Sequence, residues 1–323
     1  MTTTAPGTDP GWLIAPTGPG SRAGIPAGVE YHRVLAGERR RIGRGILAIV
    51  LLAAGLVAFP TLIGLAVGAL EVAAGVAPAP GRAPYSPSRH AGAMVGVALL
   101  LPWSLLLQRW LYGVPAASLH SVVSRVRLDV LARALLLLGP PWLLVTAVTF
   151  LLVPAEQVPW TQGDLVLMLL ATVLLTPLQA AGEEYGVHGL MLRVLGGWTR
   201  GARAGLVLAV VVSTVLFTAV HGATDPYVVL WYLVLFGGLA LITWRTGGLE
   251  VAVVLHAVLN TATLVLGVAL HTDIGAALGS RASVSGASTQ LVPTVAVVVL
   301  TALVWWSTRR SGPLRTPPAG ERG

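Results

Sequence analysis

The sequence predicts an all-α protein, a polytopic bundle of about eight transmembrane helices. Three observations carry that reading. The chain of 323 residues is 55% hydrophobic and 11% charged, whereas a soluble domain carries about 25% charged residues. Its apolar residues fall in blocks of about 20, the length that crosses a bilayer core of about 30 Å. Its arginines are distributed unevenly between the two sets of connecting loops.

Residues 1–43 read as a disordered cytoplasmic tail, because the first 30 are rich in Pro, Gly and Thr and contain no apolar run. No signal-peptide core lies near Met1. A basic cluster of Arg33, Arg39, Arg40, Arg41 and Arg44 leads into the first span. The spans are expected near 46–76, 91–112, 130–153, 164–185, 204–222, 227–244, 249–270 and 290–307. The first is long enough to tilt, or to break near Pro60. The domain division expected is 44–160 for the N-terminal helices, 161–270 for a core, and 271–323 for the last helix and a polar tail.

Arginine sets the orientation. All 21 basic residues are Arg. With both tails in the cytoplasm, as eight spans require, 18 of them fall on that side, and only Arg82, Arg89 and Arg281 on the other. That is the positive-inside pattern of a multi-pass protein of the plasma membrane. The same asymmetry accounts for the net charge of +8 without nucleic acid as a partner. The stretch 186–203 holds three Arg among apolar residues and reads as a bent, partly interfacial helix leading to a turn at Gly196–Gly201. Trp231, Trp244, Trp305 and Trp306 read as interface-belt residues, and Asp164, Asp225 and Glu250 as interfacial helix-end groups. The absence of Cys excludes disulfides, thiol catalysis and Cys-ligated zinc.

Ionisable groups inside the spans cost roughly 2.5–3.5 kcal/mol each on insertion scales, so they point to function. One cluster stands out. Glu183 and Glu184 close the fourth span, His221 closes the fifth, and His256 and Asn260 lie in the seventh. Glu184 and His188 are four residues apart and share a helix face, as do Phe217 with His221 and His256 with Asn260. Three helices therefore offer polar groups to one interior site. A single membrane His is more often a helix–helix hydrogen bond than a catalyst, but two adjacent Glu are harder to explain as packing. Bringing His256 to the depth of the Glu pair requires a kink after Glu184, at Gly186 or Gly189. With the turns near 200 and 245 on the cytoplasmic side, the site is expected to open toward the cytoplasm.

The motifs Glu183-Glu184-Tyr-Gly-Val-His188, Phe217-x-x-x-His221 and His256-x-x-x-Asn260, in this order, resemble the CAAX protease and bacteriocin-processing (CPBP, or Abi) family of intramembrane proteases, relatives of Rce1-type endopeptidases. The resemblance covers about 164–270. It implies that Glu183 activates water, that His221 helps to hold that water, and that His256 and Asn260 stabilise the oxyanion. It implies metal-independent chemistry with no cofactor, on a membrane-associated peptide or protein. The family's Arg, four residues after the second Glu, is His188 here, which the spacing assigns to Glu184 as a structural partner. The alternatives are a zinc protease using His188, His221, His256 and a Glu, an inactive immunity or scaffold member, and a proton-coupled transporter. The sequence sets no oligomeric state.

Overall fold

The computed structural model describes residues 24–37, 40–76, 85–152, 157–279 and 287–318. The expected disorder of residues 1–23 lies outside them. Helix α1 is Ile42–Ala73, α2 Pro87–Ala98, α3 Leu100–Tyr112, α4 Leu128–Leu137, α5 Gly139–Leu151 and α6 Gln162–Glu184. A π-helical turn, Tyr185–Met191, joins α6 to α7, Leu192–Gly196. Then follow α8 Ala202–Val220, α9 Pro226–Thr246, α10 Glu250–Ala269, α11 Ile274–Gly279 and α12 Leu291–Ser307. Among the described residues there is no strand beyond isolated bridges.

Among the described residues seven helices are long and apolar enough to cross a membrane, and α4 with α5, bent by 47° at Leu138, makes an eighth if the pair is one span. The bend sits at Gly139-Pro140-Pro141, where proline removes donors from the helix ladder. The bundle is a multi-pass helical one, as the composition predicts. Large apolar side chains point outward (Val57, Leu65, Leu70, Leu136, Leu144, Leu174 and Val207 are exposed), while Thr172, Thr176, Ser213 and Thr243 are buried. This is the arrangement expected where lipid is the solvent and polar groups must be satisfied inside. α1 does not break at Pro60 but runs through it. There α2 approaches closely: a Cβ on Gly96 would lie 2.5 Å from the Pro60 Cα.

Several expectations need correction. Residues 24–37 are not a disordered tail. Tyr31, His32 and Arg33 are buried, and Arg33 donates to the carbonyls of Gly196 at 2.6 Å, Thr199 at 2.9 Å and Arg200 at 3.2 Å. These are the orphan acceptors at the end of α7, which need donors. His32 Nε2 donates to the Ala202 carbonyl at 2.9 Å. The polar C-terminal tail is held as well: Thr316 is buried, its Oγ1 donates to Pro26 O and accepts from Val29 N, and Glu30 bridges Arg315. The two described ends therefore lie against each other on one face.

Within 186–203 the helix bends and ends at Gly196 as expected, and Tyr185–Gly197 is buried throughout. Arg193 is wholly enclosed, donating to Gln108 Oε1 and to Ser118 Oγ and O, with its guanidinium 4.0 Å from the Tyr31 ring centroid. Glu250 is buried in a two-pronged pair with Arg127, Nε to Oε1 at 2.9 Å and Nη2 to Oε2 at 2.6 Å. Trp231 and Trp244 are buried packing residues, and only Trp305 and Trp306 of the proposed belt are exposed.

Two outcomes follow from this packing. Arg127→Ala leaves Glu250 enclosed without its counter-charge, and should lower unfolding stability in detergent by about 3–5 kcal/mol. Burial pushes His32 from 6.5 down to about 4, against the opposing pull of the Ala202 carbonyl and Glu30. Between those values the unfolded chain binds a proton that the folded chain does not. Stability contributed here is therefore constant above pH 6.5 and falls as pH drops toward 4. Thermal unfolding across pH should show this slope, and His32→Gln, which still donates to Ala202 but does not titrate, should flatten it.

Candidate active site

Glu183 and Glu184 close α6, and the structure brings both against α10. Their position is fixed from behind by Gly182, where a Cβ would lie 2.4 Å from the Val97 carbonyl oxygen. Only glycine lets α6 lie this close to the end of α2. After Glu184 the helix widens into the π-turn Tyr185–Met191. This is the local break that the depth argument demanded, and π-turns of this kind recur at functional sites. Its outer side is held by the 113–127 loop, with His120 Nδ1 2.5 Å from the Tyr185 hydroxyl and Leu119 packed beside Gly189.

Glu184 is completely enclosed. One carboxylate oxygen takes a hydrogen bond from His188 Nδ1 at 2.7 Å, the other from His256 Nδ1 at 2.7 Å. His188 thus stands where the spacing put it, one turn along the same face. His256 is a bridge: its Nε2 faces Glu183 Oε2 at 3.3 Å.

Asn260, one turn beyond His256, donates from Nδ2 to Gln179 Oε1 at 3.1 Å. His221 ends α8, and its Nδ1–H donates to the Phe217 carbonyl at 2.7 Å. That bond places a ring proton on Nδ1. An aromatic wall links His221 to the rest. Its ring lies 4.9 Å from Phe217 and Phe236 and 4.5 Å from Tyr232, while Phe217 lies 6.5 Å and Phe236 6.4 Å from His256. All five residues singled out in the sequence belong to this one cluster.

Residues 162–262 match the family model described as type II CAAX prenyl endopeptidase Rce1-like. Over that stretch the chain is similar to that family. The match contains Glu183, Glu184, His221, His256 and Asn260, and it supports a protease that acts on a peptide or protein in the bilayer. No curated protein and no solved structure matches the chain.

The Rce1-like segment also contains residues the motifs did not flag. Gln179 orients Asn260, and a Gln four residues before Glu183 in an apolar span was the available signal. Tyr232 and Phe236 line the site, but nothing separates them in sequence from ordinary apolar residues. His188 and His256 both turn Nδ1 to the same Glu184 carboxylate. Among the described residues no group of three or more His, Asp or Glu is arranged to hold a metal ion. Residues 24–37 pack on the turn near 200 and residues 113–127 on the turn near 245.

His188→Ala removes one of the two donors to an enclosed carboxylate. It should lower thermal stability in detergent by about 2–3 kcal/mol, with no change in metal content measured on the same samples. Loss of stoichiometric zinc on this substitution would overturn the structural role of His188.

Proposed function

We propose that the protein is an intramembrane endopeptidase that hydrolyses a peptide bond with water activated by Glu183. The observation that carries this reading is the Glu183–His256–Glu184–His188 chain, in which an enclosed carboxylate anchors a histidine whose other nitrogen addresses a second, partly open carboxylate. Glu184 accepts from two donors and serves as the anchor. Glu183 is the carboxylate with room to move, its side chain 13% exposed against 0% for Glu184.

The steps follow from these contacts. Glu183 takes a proton from water as that water attacks the scissile carbonyl. His221 helps to hold that water. Glu183 then returns the proton it took from water to the leaving amine. Asn260 has a second amide N–H besides the one given to Gln179, and His256 Nε2–H becomes a donor once Glu183 turns to the water. Both then face the developing oxyanion in a site shielded from water, where such donors are worth most. The chemistry proposed uses no metal ion or cofactor.

The test is cleavage of membrane-spanning peptides co-reconstituted in liposomes, read by mass spectrometry. Glu183→Gln should lower the rate by about 10²–10⁴, and Asn260→Ala by about 10²–10³, both with unfolding temperatures near wild type. Full activity of Glu183→Gln would end this mechanism, and activity abolished by chelators and restored by zinc would replace it with a metalloprotease.

A further inference from the structure

α10 brings two polar side chains to the site, His256 and Asn260, and α6 decides how each is turned. Glu184 sets the His256 ring, through Nδ1 at 2.7 Å. The Asn260 side chain has one bond among the described residues, from Nδ2 to Gln179 Oε1 at 3.1 Å. Gln179 lies one turn before Glu183 on α6, and Asn260 one turn after His256 on α10. The two helices therefore meet at successive rungs, Gln179 with Asn260 and Glu183 with His256, the second at 3.3 Å.

A carboxamide has two unlike ends of nearly the same shape, one accepting and one donating. A developing oxyanion is stabilised by the N–H end and repelled by the oxygen end. Packing alone cannot choose between ends of the same shape, so the choice needs a hydrogen-bond partner. Gln179 Oε1 is an acceptor, and it takes one hydrogen of Asn260 Nδ2. The second hydrogen is on the same nitrogen.

Other polar residues on this face of α6 have a different task. Thr172 and Thr176, two turns and one turn before Gln179, are wholly buried and serve α2, at His90 Nε2 at 3.0 Å and Met94 Sδ at 3.7 Å. Such helix–helix contacts hold a membrane bundle together. Gln179 is buried like them, but its partner Asn260 is half-buried and belongs to the site cluster. A purely structural bond between Gln179 and Asn260 predicts a loss of stability with no change at the chemistry.

We propose that Gln179 is a positioning residue of the reaction, holding the Asn260 amide with its N–H end available to the oxyanion. It acts through Asn260 and does not touch the reacting atoms. The proposal rests on the peptidase reading and adds to it a residue that orients one of the donors. An Asn260 released from Gln179 can present either end. Substrate binding then continues as before while the transition state loses a preorganised donor, which is a loss in kcat and not in KM.

The test is a double-mutant cycle on the full chain, in the liposome cleavage assay, with wild type, Gln179→Met, Asn260→Ala and the double variant. Gln179→Met keeps the length of the side chain and removes the acceptor. It should lower kcat about tenfold or more, bounded by the roughly 10²–10³ that loss of a whole donor costs, with KM within about twofold of wild type. In the Asn260→Ala background the same substitution should change kcat by less than about twofold, because nothing is left to orient. Gln179→Glu, which keeps an acceptor oxygen there, should turn over at least about fivefold faster than Gln179→Met. If Gln179→Met does not give folded protein, Gln179→Ala carries the same comparison. Losses that multiply across the cycle, equal rates for Gln179→Glu and Gln179→Met, or a Gln179→Met kcat within twofold of wild type would each overturn the proposal and leave a structural bond. A wild type that cleaves nothing sinks the peptidase reading, and the role of Gln179 with it. A wild type that cleaves beside an unaffected Gln179→Met sinks the role of Gln179 alone.

Discussion

The rest of the site depends on one enclosed carboxylate. Glu184 has no contact with water, and a carboxylate in such surroundings is tolerable only when paired and hydrogen-bonded. One of its donors comes from its own helix, four residues on, and the other from α10. The pair of bonds does more than neutralise a charge. It sets the rotation of the His256 ring, and therefore the direction of Nε2, which faces Glu183. An apolar residue at 184 would leave that ring without an orientation. Adjacent acids in a membrane span are costly one by one, and here the two sit differently, Glu184 enclosed between two donors and Glu183 partly open.

That arrangement imposes a demand on the backbone. A regular helix continuing past Glu184 would keep its residues in strict 3.6-residue register against α10 and the 113–127 loop together. The π-turn Tyr185–Met191 shifts the register by inserting extra residues, and the small residues Gly186 and Gly189 receive Leu52, Leu119 and Leu249 against their backbone. Arg193 then finds Gln108 and Ser118. The N-terminal half of the bundle, which carries no motif, works as the wall against which the π-turn is pressed.

Much of this was legible in the sequence because lipid makes polarity conspicuous. Span positions followed from apolar length, and Glu183, Glu184, His221, His256 and Asn260 stood out as costly residues at shared-face spacings. The mismatch in depth between Glu184 and His256 even called for the break that the π-turn provides. What failed did so for a common reason. Arg33, Arg193 and Glu250 were assigned to tails and interfaces because charges near span ends ordinarily sit there. Their partners are backbone carbonyls of a distant helix end, an amide and a serine from α3 and its following loop, and an arginine 123 residues away. None of those pairings has a local signature. Tyr232 and Phe236 were invisible for the opposite reason, being apolar residues in an apolar helix.

The meeting of the two described ends bears on how the protein is made. Thr316 receives and donates bonds at Pro26 and Val29, nearly three hundred residues upstream. During synthesis the helices insert in order from the N-terminus, and the 24–37 segment waits beside the ribosome-bound chain for a partner not yet translated. The terminal face can close only after α12 is in the bilayer and the last residues are released. A truncated product therefore carries assembled helices beneath an unfinished cover.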